Sequence, residues 1–282
     1  MTELEERVQE RIRDWQVKVI RSLETESSVV VLGTRDDQPV ALKVLRDASD
    51  EWHSGQVLEA FAGRGTVRIY EHAEGAVLLE RLQPATQLAV VALNGSDEEA
   101  TEILSGVIER MSPVGTLDSA PTVSDWGMGF IRYLAGDDAQ IPKTLVERGE
   151  RLYFDLAATQ KSTRLLHGDL QHYNVLFDSN RGWVAIDPKG VVGEIEYEIG
   201  ASLRNPGESP ELFGSPATIE RRIRQYEAGL HLDAYRMLSW AFAEAVLSAI
   251  WLVEDGYAVD FRSVPIVLAR AIEPMLGVSR GN

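Results

Sequence analysis

Cysteine is absent from the 282-residue chain, so disulfide bonds, thiolate catalysis and cysteine metal sites are excluded. Basic residues are few beside acidic ones: 28 Lys and Arg stand against 44 Asp and Glu, which gives a formal net charge of −16. This balance argues against non-specific nucleic-acid binding, which needs basic patches to neutralise phosphates. It is compatible with a cationic substrate, because an acidic cleft concentrates cations, and equally with solubility alone.

Apolar segments typical of a leader or a membrane anchor are also lacking. The first residues, MTELEERVQERIRDW, contain no apolar core of a signal peptide. The longest apolar stretch, 237–253, contains Glu244 and follows Arg236. Because a charge inside a bilayer is costly, we expect this stretch to be a buried helix of a globular protein. The sequence therefore favours a cytoplasmic protein without membrane or nucleic-acid partners, and it does not determine an oligomeric state.

The first ~90 residues have the pattern of a small antiparallel sheet with helices packed on it. Apolar residues at helical spacing follow Thr2, which is a good helix cap. Short β-branched runs then alternate with turn residues such as TRDDQP. The predicted elements are a helix capped by Thr2, strands 29–33 and 40–45 joined by a turn over 34–39, a helix over 49–63 capped by Ser49, and strands 66–72 and 75–82.

The remaining chain is mainly helical, with one pair of short strands. We expect helices over 96–111, beginning at Ser96 or Asp97, and over 143–159. NVLFD and WVAID, joined by SNRG, predict strands 174–178 and 183–187. The fold class is therefore α+β with two lobes, a small antiparallel-sheet N-lobe over 1–82 and a larger, mainly helical C-lobe over 83–282.

Polar side chains cluster around this strand pair, in the segment LLHGDLQHYNVLFDSNRGWVAIDPKG. Asp169 and Asn174 occur in the order H-G-D-x-x-x-x-N, and Asp187 ends the second predicted strand. Residues at strand ends can converge, and carboxylate and amide oxygens are ligands that Mg²⁺ prefers. A second carboxylate beside a reacting hydroxyl would complete the parts that phosphoryl transfer needs.

Other kinds of site are less well supported. HGDLQH offers His167, Asp169 and His172 to a transition metal, but the chain has five histidines and no H-E-x-x-H. No G-x-S-x-G marks a serine hydrolase. Lys43 lies within the apolar run VALKVLR, where it could extend to solvent from an exposed strand face or hold nucleotide phosphates.

The segment LLHGDLQHYNVLFD, followed by WVAIDPKGVVGEIEYEIGASLRNP, resembles the catalytic core of the aminoglycoside phosphotransferase family, within the protein-kinase-like fold. The second part is similar to the branch that contains the streptomycin 6-kinases and hydroxyurea phosphotransferases. VALKVLR, GRGTVRIYEH and GAVLLERL precede it in the family's order, so the resemblance spans nearly the whole chain.

The resemblance implies a role for each matching residue. Asp169 would orient or deprotonate the acceptor hydroxyl, Asn174 and Asp187 would bind Mg²⁺, and Lys43 would bind the phosphates of ATP. His167 would support the catalytic loop. The backbone at Glu80 and Leu82, near a hinge at 80–83, would bind the adenine edge. LETESSVV has no G-x-G-x-x-G, so Ser27, Ser28 and backbone N–H groups would cover the phosphates.

A glutamate that pairs with Lys43 is expected on the helix after it, but the matching position is Ser54. Glu51 lies three residues before Ser54, on nearly the same helix face, whereas Glu59 points elsewhere. We therefore expect Glu51 to be the partner of Lys43.

These residues together predict an ATP- and Mg²⁺-dependent kinase of a small-molecule hydroxyl. The resemblance implies an aminoglycoside such as streptomycin as acceptor, which is cationic and suits the acidic chain. Acceptor selection is expected from 120–160 and 207–260. A kinase of a non-antibiotic metabolite remains open, as does a nucleotide-binding protein with weak catalysis.

Overall fold

A computed structural model of the chain describes residues 2–48, 51–112 and 114–277. The first part is an antiparallel five-stranded sheet in the order β1-β2-β3-β5-β4. Residues 66–67 were predicted as the start of a strand, but they do not belong to this sheet. Val67 N–H instead donates to the carbonyl of Ala185 at 2.8 Å, which links the sheet to the second part of the chain. The strands are β1 (Lys18–Glu24), β2 (Ser28–Arg35), β3 (Gln38–Leu45), β4 (Ile69–Ala73) and β5 (Ala76–Glu80).

The hairpin of β2 and β3 is longer than its sequence pattern indicates. Arg35 pairs with Gln38, so only Asp36 and Asp37 form the turn. Both have positive φ, 49° and 63°. Aspartate tolerates this conformation, and it matches the twist of the strands, so the two strands extend to a tight two-residue turn.

Helix α1 (Glu3–Asp14) begins at its predicted cap. The Thr2 hydroxyl accepts from Glu5 N–H at 3.2 Å, and Thr2 N–H donates to the Glu5 carboxylate at 2.7 Å. This reciprocal pair satisfies N–H groups that have no partner within the helix. The apolar face predicted from the spacing, with Val8 buried at its centre, packs on the sheet.

Helix α2 (Ser54–Phe61) begins later than predicted. Ser49 lies outside the described residues, and His53 precedes the first helical turn without a side-chain cap. Glu51 therefore lies in a turn before the helix, where its carbonyl accepts from Ser54 N–H at 2.9 Å. The helix register used to predict the direction of Glu51 does not apply.

Two small sheets lie in the second part. One has the order β6-β8-β9, and β7 pairs with β10 in the other. The strand predicted over 183–187 ends at Ala185, because Asp187 has a φ of 55° and cannot continue an extended strand. The strands are β6 (Pro84–Gln87), β7 (Arg164–Leu166), β8 (Val175–Asp178), β9 (Gly182–Ala185) and β10 (Val191–Gly193).

Helices make up most of the second part, and the predicted helices over 96–111 and 143–159 are confirmed. The α-helices described in the second part are α3 (Leu88–Leu93), α4 (Asp97–Met111), α5 (Val123–Ala135), α6 (Lys143–Ala158), α7 (Ile199–Leu203), α8 (Pro210–Phe213), α9 (Pro216–Leu230), α10 (Ala234–Glu254) and α11 (Val264–Gly277).

Helix α10 forms the centre of the helical core. Among the described helices it is the one long and apolar enough to cross a membrane, but 67% of that stretch is buried inside the structure. Trp240 and Phe242 on α10 are fully buried. The helix packs on α6 and α11, as expected for the core helix predicted from 237–253.

Candidate active site

A cleft of ≈390 Å³ separates the five-stranded sheet from β8 and the segment after β9. Its walls are mainly apolar side chains from both parts of the chain, which suits a flat heterocycle. Lys43 and Asp187 both line it, from opposite sides. The apolar wall residues are Leu23, Val30, Leu32, Ala41, Val67, Leu79, Leu82, Leu176 and Ile186.

Lys43 lies in β3, and its side chain is 12% exposed. Its Nζ is 2.8 Å from Asp187 Oδ1 and 2.5 Å from Glu51 Oε2. Burial alone lowers the pKa of Lys43, but the carboxylates of Asp187 and Glu51 raise it above its ordinary value. Lys43 is therefore a fixed cation inside the cleft rather than a side chain that extends to solvent.

Glu51 is the acidic partner of Lys43, as predicted. Glu59 faces away: it is 72% exposed, and its carboxylate is 3.5 Å from His72 Nε2. The partner was predicted correctly for a wrong reason, since Glu51 reaches Lys43 from a turn and not from the first turn of α2.

The loop after β7 carries Asp169 and is tied down on both sides. Glu198 accepts the N–H groups of His167 and Gly168 at 2.6 Å and 3.0 Å. Glu198 is buried, and burial raises its pKa to about 7 against the effect of these two hydrogen bonds. Glu198 was not predicted as a functional residue, although the acidic residues that alternate with apolar ones in GEIEYEIG were a signal.

His167 connects this loop to the segment before Asp187. Its Nε2 lies 2.8 Å from the carbonyl of Ile186, and its Nδ1 accepts from Asp169 N–H at 3.3 Å. Burial lowers the pKa of His167, so the ring is neutral, with Nδ1 as acceptor and Nε2 as donor. These contacts fit the supporting role that the resemblance implies.

Asn174 lies directly beside Asp169. Its Nδ2 donates to the carbonyl of Asp169 at 3.0 Å and lies 3.4 Å from Asp169 Oδ2. Its own carbonyl accepts from Ile186 N–H at 2.9 Å, which brings the residue before Asp187 alongside. The left-handed conformation of Asp187 costs a non-glycine residue roughly 1–2 kcal/mol and turns the chain out of β9. Asp169 and Asn174 thus form one hydrogen-bonded unit, and Asp187 directly follows Ile186, which is bonded to that unit.

The donor set fits a hard cation that keeps other ligands. Because Asn174 uses its amide nitrogen toward Asp169, its amide oxygen is the atom left for a cation, and the Asp187 carboxylate offers a second oxygen ligand. Among the described residues, no group of three or more His, Cys, Asp or Glu side chains could hold a metal by itself. Both ring nitrogens of His172 are buried without a partner in the described structure. These observations argue against the transition-metal alternative.

Of the residues expected to contact the rest of the nucleotide, Glu80 and Leu82 line the cleft, whereas Ser27 and Ser28 are not among its lining residues. Glu80 N–H donates to the carbonyl of Arg68 at 3.0 Å, so only the Glu80 carbonyl could face an adenine. Ser27 is exposed, whereas Ser28 is buried, with its hydroxyl 2.8 Å from that of Thr25. Backbone N–H groups and Ser27 therefore remain the better candidates for covering phosphates.

Comparisons with known proteins assign the chain to a family. A family model described as aminoglycoside/hydroxyurea antibiotic resistance kinase matches residues 14–256. The chain belongs to this family. The predicted resemblance is thereby confirmed, and the chain is a phosphotransferase that acts on a hydroxyl group of a small molecule.

Two relatives agree with this assignment, and a solved structure shares the fold. A streptomycin 3''-kinase of Klebsiella pneumoniae is 34% identical over 239 residues, covering 83% of this chain and 87% of that protein. A streptomycin 6-kinase of Streptomyces griseus is 29% identical over 238 residues, covering 82% and 76%. An aminoglycoside phosphotransferase solved with ADP and hygromycin B superposes with a TM-score of 0.66 at 15% identity, covering 100% of both chains. The last likeness confirms the two-lobed kinase-like fold. The division of the lobes between residues 82 and 83 stays a prediction.

Proposed function

We propose that this antibiotic-resistance-kinase family member transfers the γ-phosphate of ATP to a hydroxyl of an aminoglycoside such as streptomycin. The observation that carries the proposal is the contact across the cleft, where Lys43 lies 2.8 Å from Asp187 beside the unit of Asp169 and Asn174. A phosphate-binding cation, two hard oxygen ligands and a further carboxylate are the parts that phosphoryl transfer requires.

Nucleotide binding uses the apolar cleft and Lys43. The adenine lies between the aliphatic walls, with the backbone at Glu80 and Leu82 on its edge. Lys43, held by Glu51 and Asp187, contacts the α- and β-phosphates as a point charge. Ser27 and nearby backbone N–H groups cover the phosphates from the β1–β2 turn.

Transfer depends on Asp169, which aligns the acceptor hydroxyl and accepts its proton as the new O–P bond forms and ADP departs. The loop around it is rigid, since Glu198 and His167 fix its backbone. Asn174 and Asp187 would hold Mg²⁺, which neutralises charge on the phosphates when bound.

The acceptor enters from the helical part. A second cavity of ≈430 Å³ is lined by Arg204, whose Nη2 is 3.6 Å from Asp169 Oδ1, and by residues of 205–265. This supports acceptor selection by 207–260, one of the two predicted segments. The formal charge of −16 favours the approach of a cationic aminoglycoside. A cytoplasmic location fits a kinase that uses ATP.

The test separates binding from transfer. Wild-type protein, Asp187→Ala and Asp169→Asn are compared by calorimetric titration with ATP, with and without Mg²⁺, and by phosphorylation of streptomycin followed by mass spectrometry. We expect Mg²⁺-dependent ATP binding that weakens in Asp187→Ala. Asp169→Asn should keep ATP affinity and lose ~10²-fold or more in turnover.

The exposed Lys18 in β1 serves as the control position, because it does not line the cleft, and Lys18→Ala should match the wild type in both measurements. ATP affinity that ignores Mg²⁺, or full turnover in Asp169→Asn, would contradict the proposal. Turnover with hydroxyurea or a sugar but not with aminoglycosides would favour the metabolite kinase. ATP binding without transfer to any acceptor would favour the nucleotide-binding protein. That alternative arose because Ser54 stands where a glutamate partner of Lys43 is expected, and the ion pair of Lys43 with Glu51 supplies such a partner.

A further inference from the structure

Arg204, directly after α7, joins two acidic groups inside the helical part. Its Nη1 lies 2.5 Å from Glu244 Oε1, and its Nη2 lies 3.6 Å from Asp169 Oδ1. The Arg204 side chain is 12% exposed and that of Glu244 is 3% exposed. A buried arginine is stable only if its charge is paired, so this geometry ties α10 to the reacting carboxylate through one guanidinium.

Glu244 occupies a place made for it by a missing side chain. A Cβ on Gly200 would come within 1.8 Å of Glu244 Oε2, so any other residue at this position would displace the carboxylate of Glu244. Oε2 is buried and has no hydrogen-bond partner in the described structure. The only ion pair described for Glu244 is the one with Arg204. Burial raises the pKa of Glu244, and the positive charge of Arg204 acts in the opposite direction. The glutamate in the middle of the apolar stretch 237–253 therefore serves to hold Arg204.

The backbone on both sides of Arg204 is fixed as well. Arg222 donates through Nη1 to the carbonyls of Ser202 and Asn205, at 2.8 Å and 2.9 Å. Arg222 is itself buried and pairs with Asp97 at the start of α4 through Nη2–Oδ1 at 2.5 Å and Nε–Oδ2 at 3.0 Å. Contacts from α4 and α9 thus fix the backbone on both sides of Arg204, and Glu244 in α10 fixes its side chain.

The carboxylate of Asp169 needs such a support. Among the described residues, its side-chain contacts are with Asn174, at 3.4 Å, and with Arg204. Asn174 is the proposed Mg²⁺ ligand, so its amide is committed to one geometry. We propose that Arg204 is a positioning residue that holds Asp169 toward the acceptor hydroxyl, and that Glu244 fixes Arg204 for this purpose. This inference rests on the proposed transfer function.

The experiment compares Arg204→Ala, Arg204→Lys and Glu244→Gln with wild-type protein, measuring kcat and KM for streptomycin and the Kd of Mg-ATP by calorimetry. Misplacement of a reacting group by about 1 Å costs ~10²-fold in rate. We therefore expect kcat to fall ~10²-fold in Arg204→Ala, with KM and Kd changed less than about twofold. Arg204→Lys should recover part of the lost kcat, because it returns a positive charge near Asp169, and Glu244→Gln should lie between the wild type and Arg204→Ala.

Arg35→Ala is the control, since Arg35 forms an ion pair with Glu71 at 3.0 Å and lines neither the cleft nor the second cavity, and it should leave all three quantities unchanged. Wild-type kcat in Arg204→Ala would overturn the inference. A raised streptomycin KM at unchanged kcat would also overturn it, because Arg204 would then bind acceptor from the second cavity. Parallel loss of kcat and Mg-ATP affinity in both Arg204 variants would assign the arginine to the fold.

If wild-type protein phosphorylates no acceptor, the proposed function fails. If Asp169→Asn is inactive while Arg204→Ala is not, only this inference fails.

Discussion

Buried ionisable residues around the catalytic loop do the positioning in this protein. Glu198 holds the backbone before Asp169, and Glu51 holds Lys43. Burying a charge is costly unless it is paired, so each of these side chains stays in one orientation. The pairs connect groups that lie far apart in the sequence, and this makes the site rigid at the level of single side chains.

Glu51 gives a prediction with an internal control. Glu51→Gln removes the charge that orients Lys43, while Glu59→Gln changes an exposed carboxylate near His72. A hydrogen bond between charged groups contributes about 1.5–3 kcal/mol. We therefore expect the KM for ATP to rise, or kcat to fall, by roughly tenfold in Glu51→Gln and not at all in Glu59→Gln. Equal kinetics in the two variants would show that Lys43 does not need its acidic partner.

His172 gives a prediction for acid stability. Burial, aided by the nearby Arg222, lowers the pKa of His172 well below its ordinary 6.5. The unfolded chain therefore binds a proton below about pH 6.5 that the folded protein does not, so stability falls as pH decreases through that value. His172→Leu loses no hydrogen bond, since neither ring nitrogen has a partner in the described structure.

In urea unfolding, the wild type should lose about 1 kcal/mol more than His172→Leu between pH 7.5 and pH 5.5. The same pH dependence in both proteins would show that His172 takes up a proton while folded.

Secondary-structure elements place the site through their ends. The β2–β3 hairpin carries Lys43 opposite Val30, in a register fixed by a two-residue turn. β9 stops two residues before Asp187, because the left-handed conformation there ends the strand. α2 begins only after Glu51, which frees that residue to reach the cleft. Asp187 and Glu51 thus lie just beyond the point where regular structure ends, whereas Lys43 lies within β3.

We expect a substitution in the β2–β3 turn to increase the stability of the folded protein. Asp37 is exposed and has a φ of 63°, where glycine adopts the conformation without steric cost. Asp37→Gly should raise the free energy of unfolding by about 0.5–1 kcal/mol, whereas Asp37→Val, which resists positive φ, should lower it by roughly 1–2 kcal/mol. Thermal unfolding with the activity assay checks both, and activity should not change at low temperature. A stabilising valine would contradict the turn geometry.

At the scale of the whole molecule, the cleft lies between two parts of the chain that are joined by hydrogen bonds, ion pairs and shared core packing, in which Val57 and Phe61 of α2 take part. Arg181, next to β9, donates to the carbonyl of Gly63 at 2.6 Å and pairs with Glu80. Val67 bonds to Ala185, and Lys43 pairs with Asp187 across the cleft. A ligand that binds between the two parts should therefore stabilise the chain as a unit.

Mg-ATP is expected to raise the unfolding temperature. A ligand at 100 times its Kd adds about 2.7 kcal/mol, which corresponds to roughly 5 °C for a chain of this size. Lys43→Ala should reduce the shift, whereas Lys143→Ala, on an exposed helix position, should retain it. Differential scanning fluorimetry at fixed ATP and Mg²⁺ measures both. A full shift in Lys43→Ala would remove Lys43 from the nucleotide site.

The sequence by itself determined the elements that depend on local spacing and the residues that a motif identifies. The cap at Thr2, helix α6 and the buried character of α10 follow from side-chain pattern within one segment. The order of Asp169, Asn174 and Asp187 indicated phosphoryl transfer, while the kinase-like fold and the family followed from the resemblance of the longer segments around these residues and around Lys43.

Only the tertiary structure decided which distant charges meet. Arg204 and Glu244 are 40 residues apart, and Glu198 lies 31 residues after His167. No local pattern indicates such a pair, since the energy of an ion pair depends on distance and burial and not on sequence separation. Glu51 was predicted as the partner of Lys43 because a helix was expected to include it. The helix begins only at Ser54, and the turn before it brings Glu51 to Lys43. Local preferences fix an element, while packing of the two parts of the chain brings their charges together.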